Sequence, residues 1–145
     1  MIILGFNNKS RESVTRTFEA LDSELDNALD FIEGCLTDAG CSEGDLFKIR
    51  LAAEEIFVNI ANYAYTPGQG PAEITVENDE KTVSIIFMDS GKQFNPLNNI
   101  VDTDAYAESD KIGGLGIHIV RSVMDEITYE YIDGKNIFTM KKSIA

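Results

Sequence analysis

Three segments of this 145-residue chain carry side chains whose types and spacing could do chemistry. The first runs Glu55-Ile-Phe-Val-Asn59-Ile-Ala-Asn62-Tyr63-Ala64-Tyr65. A helical turn of about 3.6 residues gathers Glu55, Asn59 and Asn62 on one side. Leu46, Ile49, Ala53, Ile56, Phe57, Ile60 and Ala64 fall on the other. The polar side is either a solvated helix face or a working one. Asn costs up to ~0.7 kcal/mol relative to Ala inside a helix, so two of them argue against plain solvation. A working face would offer the Asn59 amide oxygen to a hard cation and the Glu55 carboxylate, one turn earlier, for proton abstraction.

The second segment, Asp89-Ser90-Gly91-Lys92-Gln93-Phe94, follows an apolar strand pattern. It reads either as a turn or as an acceptor aimed into a pocket. In a pocket, Asp89 would accept from an exocyclic amine such as that of adenine. Gly91 would let a planar ring approach the backbone. The third segment, Lys111-Ile112-Gly113-Gly114-Leu115-Gly116-Ile117-His118-Ile119-Val120, opens a helical pattern with three clustered glycines. Free backbone amides at a helix N-terminus make an anion site, with a ligand-free hinge as the alternative. Neither the Gly-Lys-Ser/Thr ending of a P-loop nor a G-x-G-x-x-G fingerprint is present. Lys111 is simplest as a solvated loop residue, although it stands where it could reach a phosphate. His118 is expected to pack partly buried on its helix rather than to act as a catalyst.

Composition narrows the classes of partner. Lys plus Arg number 12 against 25 Asp plus Glu, a formal charge of −13. That argues against DNA, RNA or anionic lipid, which are bound through clustered Lys and Arg. A small phosphate ligand would need a metal ion and backbone amides to offset the acidic background. With one histidine, and with Cys35 and Cys41 lacking ligand-spaced neighbours, a His-rich zinc or iron site is excluded. The two cysteines read as reduced thiols. Neither a signal peptide nor an apolar run of about 20 residues is present, so a cytoplasmic protein is expected. The acidic run Asp102, Asp104, Glu108 and Asp110 reads as a solvated loop.

The elements that must hold these segments follow from periodicity. Residues 2–6 could be a short edge strand, and 14–39 show helical spacing through Phe18, Leu21, Leu25, Ala28, Leu29, Ile32 and Leu36 up to Gly40. Ser42 is the expected N-cap of a second helix reaching about Tyr65, with Pro67-Gly68 as its stop. Residues 72–78 alternate as a strand, 82–88 suit a central strand, and 90–111 read as a long loop of the lid or binding type. A helix over 112–124 precedes a hairpin of 126–132 and 136–142 about Asp133-Gly134. This order predicts one α+β domain over 1–145, a two-layer sandwich with helices on one face of a mostly antiparallel sheet.

Taken in order, the three segments resemble the boxes of the GHKL (Bergerat-fold) ATP-binding superfamily, and within it the small bacterial anti-sigma factor serine/threonine kinases. The N-box resembles Glu55 to Tyr65, the D-x-G-x-x-F box Asp89, Gly91 and Phe94, and the last glycine box Gly114-Leu-Gly116-Ile-His-Ile-Val120. The resemblance covers about residues 42–142 and implies an ATP site. Asn59 would hold Mg²⁺ against the phosphates, with Asn62 beside it. Asp89 would take the adenine amine, with Gly91 and Phe94 around the ring. Gly113, Gly114, Leu115 and Gly116 would wrap the phosphates, with Lys111 near the last of them. Glu55 would be the catalytic base toward a serine of an anti-anti-sigma (STAS-type) protein, with a sigma factor as competing partner and a homodimer possible. Gln93 and Ile112 stand where members often carry Gly. Gly134-Lys135 replaces a usual Gly-Thr, so a threonine contact to the base is not carried over and Thr139 is a weak substitute. No histidine-bearing dimerisation helix is present, which sets sensor histidine kinases aside. The rival reading is a nucleotide-binding regulatory module that transfers no phosphate.

Overall fold

A computed structural model describes residues 12–98 and 113–144. The elements are strand β1 (Glu12–Glu19), helix α1 (Leu25–Asp38), helix α2 (Glu43–Asn59), strands β2 (Pro71–Asn78) and β3 (Thr82–Asp89), helix α3 (Gly113–Val123), and strands β4 (Glu126–Ile132) and β5 (Lys135–Ser143). The five strands form one sheet in the order β1-β2-β3-β5-β4, every pairing antiparallel, with β3 at its centre. α2 packs against both α1 and α3. This is the expected α+β class.

The sheet buries one parity of each inner strand. Ala72, Ile74 and Val76 of β2, Val83, Ile85 and Phe87 of β3, and Phe138 and Met140 of β5 meet Leu29, Ile32, Leu36, Ile49, Ile56 and Phe57 from the helices. The cross-strand pairs Ile85–Met140 and Phe87–Phe138 run along the centre of this layer. The next pair on the same face is Asp89–Asn136. A polar couple thus closes an otherwise apolar row.

The helical expectation for 14–39 holds only from Leu25. Residues 12–19 are instead an edge strand, in register with β2 from Glu12–Asn78 to Glu19–Pro71. Phe18 lies at a helical interval from Leu21 and Leu25, but Val14, Thr15 and Thr17 are β-branched and favour an extended chain. The Thr15 and Thr75 hydroxyls bond across the two strands at 2.8 Å. The proposed strand over 2–6, Lys111, Ile112 and the acidic run lie outside the described residues.

Ser42 caps α2 as expected, its Oγ accepting from the Asp45 N–H at 3.1 Å. The helix then widens into a π turn over Ile60–Ala64. Such widening commonly sits near functional sites. Beyond it, the Tyr65 hydroxyl donates to the Pro71 carbonyl at 2.7 Å and accepts from the Ser90 N–H at 2.8 Å. It fastens the end of the helix to the start of β2 and to the exit of β3. Tyr65→Phe removes both bonds and is expected to cost about 1–2 kcal/mol, read as a lower urea midpoint at constant slope.

The β4–β5 hairpin turns at Asp133 and Gly134, whose φ values are 53° and 79°. Left-handed backbone at both positions is what a two-residue hairpin loop needs, as the Asp-Gly pair implied. Cys35 and Cys41 are free thiols. Among the described residues, no helix is long and apolar enough to cross a membrane.

Candidate nucleotide site

A cavity of about 460 Å³, counting the part open to solvent, lies between the π turn, the end of β3 and the start of β5. Its apolar wall comes from Ile56, Ile60, Phe87 and Phe138, with the aromatic rings of Tyr63, Phe94 and Tyr129 around it. Asn59, Asp89, Lys92 and Asn136 supply the polar groups. An apolar pocket with a few convergent polar groups is the usual form of a small-molecule site.

Asp89 is 6% exposed. Its position at the end of β3, on the parity that faces the helices, carries the carboxylate to the cavity. Oδ1 accepts from the Gly91 N–H at 2.8 Å and from Asn136 Nδ2 at 2.9 Å. Both bonds use one oxygen, so Oδ2 keeps its accepting capacity for a ligand.

Gly91 also has a packing duty. A Cβ built on it would overlap the Ala64 carbonyl oxygen. That same oxygen accepts from the Lys92 N–H at 2.8 Å. The missing side chain therefore lets the loop after β3 press onto the π turn. Gly91→Ala drives a methyl group into the Ala64 carbonyl. The expected cost is about 1–3 kcal/mol, measurable by chemical denaturation, together with weaker binding of any cavity ligand.

Asn59 is half-buried on the cavity wall beside Ile56 and Ile60, so this part of the polar helix face is covered rather than solvated. Glu55, one turn earlier, is also half-buried and lies against α3: a Cβ on Gly116 would overlap its Oε1. Burial raises the Glu55 carboxyl above the ordinary range, and the neighbouring Glu54 charge raises it further. A carboxylate so shifted is a better proton acceptor at neutral pH. Gly113, Gly114 and Leu115 form the first turn of α3, an 11-residue helix whose N-terminus carries partial positive charge.

Asn62 goes elsewhere. It is exposed, and its amide donates to Asp22 Oδ1 at 3.2 Å and to the Val58 carbonyl at 2.8 Å, tying the π turn to the short 3₁₀ turn Asp22–Glu24. Its side chain does not line the cavity. Thr139 lies on the opposite parity of β5 from Asn136 and Phe138 and does not line the cavity either. His118 is exposed on α3, against the expectation of partial burial, because the buried stripe of that helix runs through Ile117, Val120 and Met124.

Sequence reasoning missed Asn136, Tyr63, Lys92 and Tyr129 as site residues. For Asn136 a signal existed. It shares strand parity with Phe138 and Met140, and a polar residue at a core position calls for a reason.

Residues 18–142 match the family model of the histidine kinase-like ATPase domain. The chain belongs to that family. Among curated relatives it is similar to the serine/threonine-protein kinase BtrW of Bordetella bronchiseptica, with 30% identity over 101 residues, 68% of this chain and 71% of that one. It is also similar to the serine-protein kinase RsbW of Staphylococcus epidermidis, with 26% identity over 117 residues, 76% of this chain and 74% of that one. Among solved structures it resembles that of the RsbU and RsbW domains of Rv1364c from Mycobacterium tuberculosis, with a TM-score of 0.64 and 14% identity. That match covers 90% of this chain and 32% of the other, and at this identity it speaks for the fold. The histidine kinase-like ATPase fold thus places the end of β3, the π turn and the start of β5 around one cavity.

Proposed function

We propose that the protein is an ATP-binding protein serine/threonine kinase of the anti-sigma type. It phosphorylates a serine of an anti-anti-sigma (STAS-type) protein and sequesters a sigma factor as the competing partner. The observation that carries this reading is the convergence of separated segments. Asp89 and Asn59 line one cavity, and Glu55, on the same helix as Asn59, abuts the glycine-box helix at Gly116.

Each residue has a task set by its surroundings. Asp89, buried with one oxygen already engaged, accepts from the 6-amino group of adenine. Phe94 and the other aromatic rings enclose the base. The first turn of α3, with Gly113, Gly114 and Leu115, offers free amides and helix-end charge to the phosphates, and Gly116 lets that turn lie close against Glu55. Glu55 takes the proton of the attacking serine hydroxyl, and positioning with charge neutralisation lowers the rest of the barrier.

The donor set fits Mg²⁺ of the nucleotide-bound kind. The described residues hold no cluster of three or more His, Cys, Asp or Glu ligands, while Asn59 has an amide oxygen at the cavity. Mg²⁺ keeps several waters and takes substrate phosphates as ligands, so one protein oxygen is enough. Bound there through Asn59, it would neutralise phosphate charge in a protein of net charge −13.

The test has two stages. Mg-ATP at 100 times its Kd should stabilise the fold by about 2.7 kcal/mol. Labelled phosphate should then pass from the γ position to a serine of a STAS-type partner co-purified from the native host. Binding without transfer to any such partner would leave the regulatory-module reading, and no binding would remove both.

A further inference from the structure

Asn136 stands at the centre of the cavity's polar groups and uses its whole hydrogen-bonding capacity on them. It is 6% exposed. Its Nδ2 donates to Asp89 Oδ1 at 2.9 Å and to the Lys92 carbonyl at 2.8 Å. Its Oδ1 accepts from the Phe94 N–H at 3.1 Å and from the Tyr129 hydroxyl. A side-chain amide has two donor hydrogens and two acceptor lone pairs, and all four are committed. Asn136 therefore has no capacity left for a ligand. What it does is fix two things that face one: the Asp89 carboxylate and the loop bearing Phe94.

We propose that Asn136 is a positioning residue for base selection, holding Asp89 so that the cavity takes a 6-amino purine and rejects a 6-oxo purine. The inference rests on the reading of the cavity as an adenine-nucleotide site. With Oδ1 pinned between the Gly91 N–H and the Asn136 amide, the carboxylate cannot rotate to present a different edge. Its free oxygen meets an amine as acceptor to donor. It meets a 6-oxo group as acceptor to acceptor, which costs desolvation and repulsion with no bond in return. A carboxylate free to turn, or backed by water, loses much of that distinction. Tyr129 acts one step further out, holding the Asn136 amide in the orientation that points Nδ2 at Asp89.

The measurement is calorimetric titration of the full chain with Mg-ATP and with Mg-inosine triphosphate, which carries oxygen in place of the 6-amino group. Wild type should favour ATP. Asn136→Ala should reduce the ratio of the two dissociation constants by about 5- to 50-fold. Tyr129→Phe removes one hydroxyl bond, preserves the ring, and should reduce it by about two- to fivefold. A purely structural Asn136 would lower the melting temperature of its variants and leave that ratio alone. An unchanged ratio in folded Asn136→Ala, or in Tyr129→Phe should the first variant not fold, overturns the inference while the nucleotide site stands. Absence of heat with wild type and ATP overturns the underlying reading along with it.

Discussion

Glu55→Gln is expected to slow phosphoryl transfer by about 10²–10⁴-fold while raising the melting temperature at pH values above the folded carboxyl value. A general base typically contributes about 10²–10⁴-fold to a rate, and in the role proposed for Glu55 an amide cannot replace the carboxylate. The gain in stability comes from the burial of Glu55. Its carboxyl is raised first by desolvation and then by the Glu54 charge. A folded value above the unfolded one means that the native state binds the proton more tightly. The associated stability is complete below the unfolded value, about pH 4.3, and is lost as pH rises through the folded value. Above the folded value the ionised wild type bears this cost, and a neutral isostere bears none. The variant should melt higher than wild type once the pH is above the folded value, and the gap should close on titration below about pH 4. Gln keeps the length of Glu and its packing against Gly116, so ATP binding should persist. Transfer at the wild-type rate would remove Glu55 from the role of base and make Glu54 the next candidate.

What the sequence disclosed and what it withheld divide along the range of the interactions. The Ser42 cap, the Asp133-Gly134 turn and the alternation of 72–78 are decided by neighbours a few residues apart, and each is found where periodicity puts it. β1 is decided by β2, about 60 residues away in sequence. Phe18 within it and Leu21 just after it extend the α1 pattern backwards, so local spacing favoured a helix until Val14–Val76 and Thr15–Thr75 could pair. The candidate site shows the same division. Glu55, Asn59, Asp89 and the glycines stand out as types at a spacing. Gly91's duty to the Ala64 carbonyl and Asn62's diversion to Asp22 depend on a π turn whose extra residue per turn no propensity announces. Asn136 gains its meaning from the strand register that sets it opposite Asp89.

Asp89→Asn should leave the fold nearly intact and cripple ATP binding, which separates recognition from architecture at a single atom. The two protein bonds to Asp89 both end on Oδ1, and an Asn oxygen placed there can still accept from the Gly91 N–H and from Asn136 Nδ2. Keeping those bonds obliges the new NH₂ to take the place of Oδ2. A donor then meets the adenine amine where an acceptor stood. Hydrogen bonds to a charged partner are worth about 1.5–3 kcal/mol, so the dissociation constant for Mg-ATP should rise about 10- to 150-fold. Stability should move by less than about 1 kcal/mol, because a buried carboxylate is exchanged for a neutral group of the same shape with its bonds preserved. The same inversion makes the variant welcome a 6-oxo purine, and guanosine triphosphate should bind it better than it binds wild type. Thermal melts with and without each nucleotide report both quantities in one experiment. A variant that unfolds, or one that binds ATP as wild type does, would mean that Asp89 serves the β3–β5 junction and that the base is read elsewhere in the cavity.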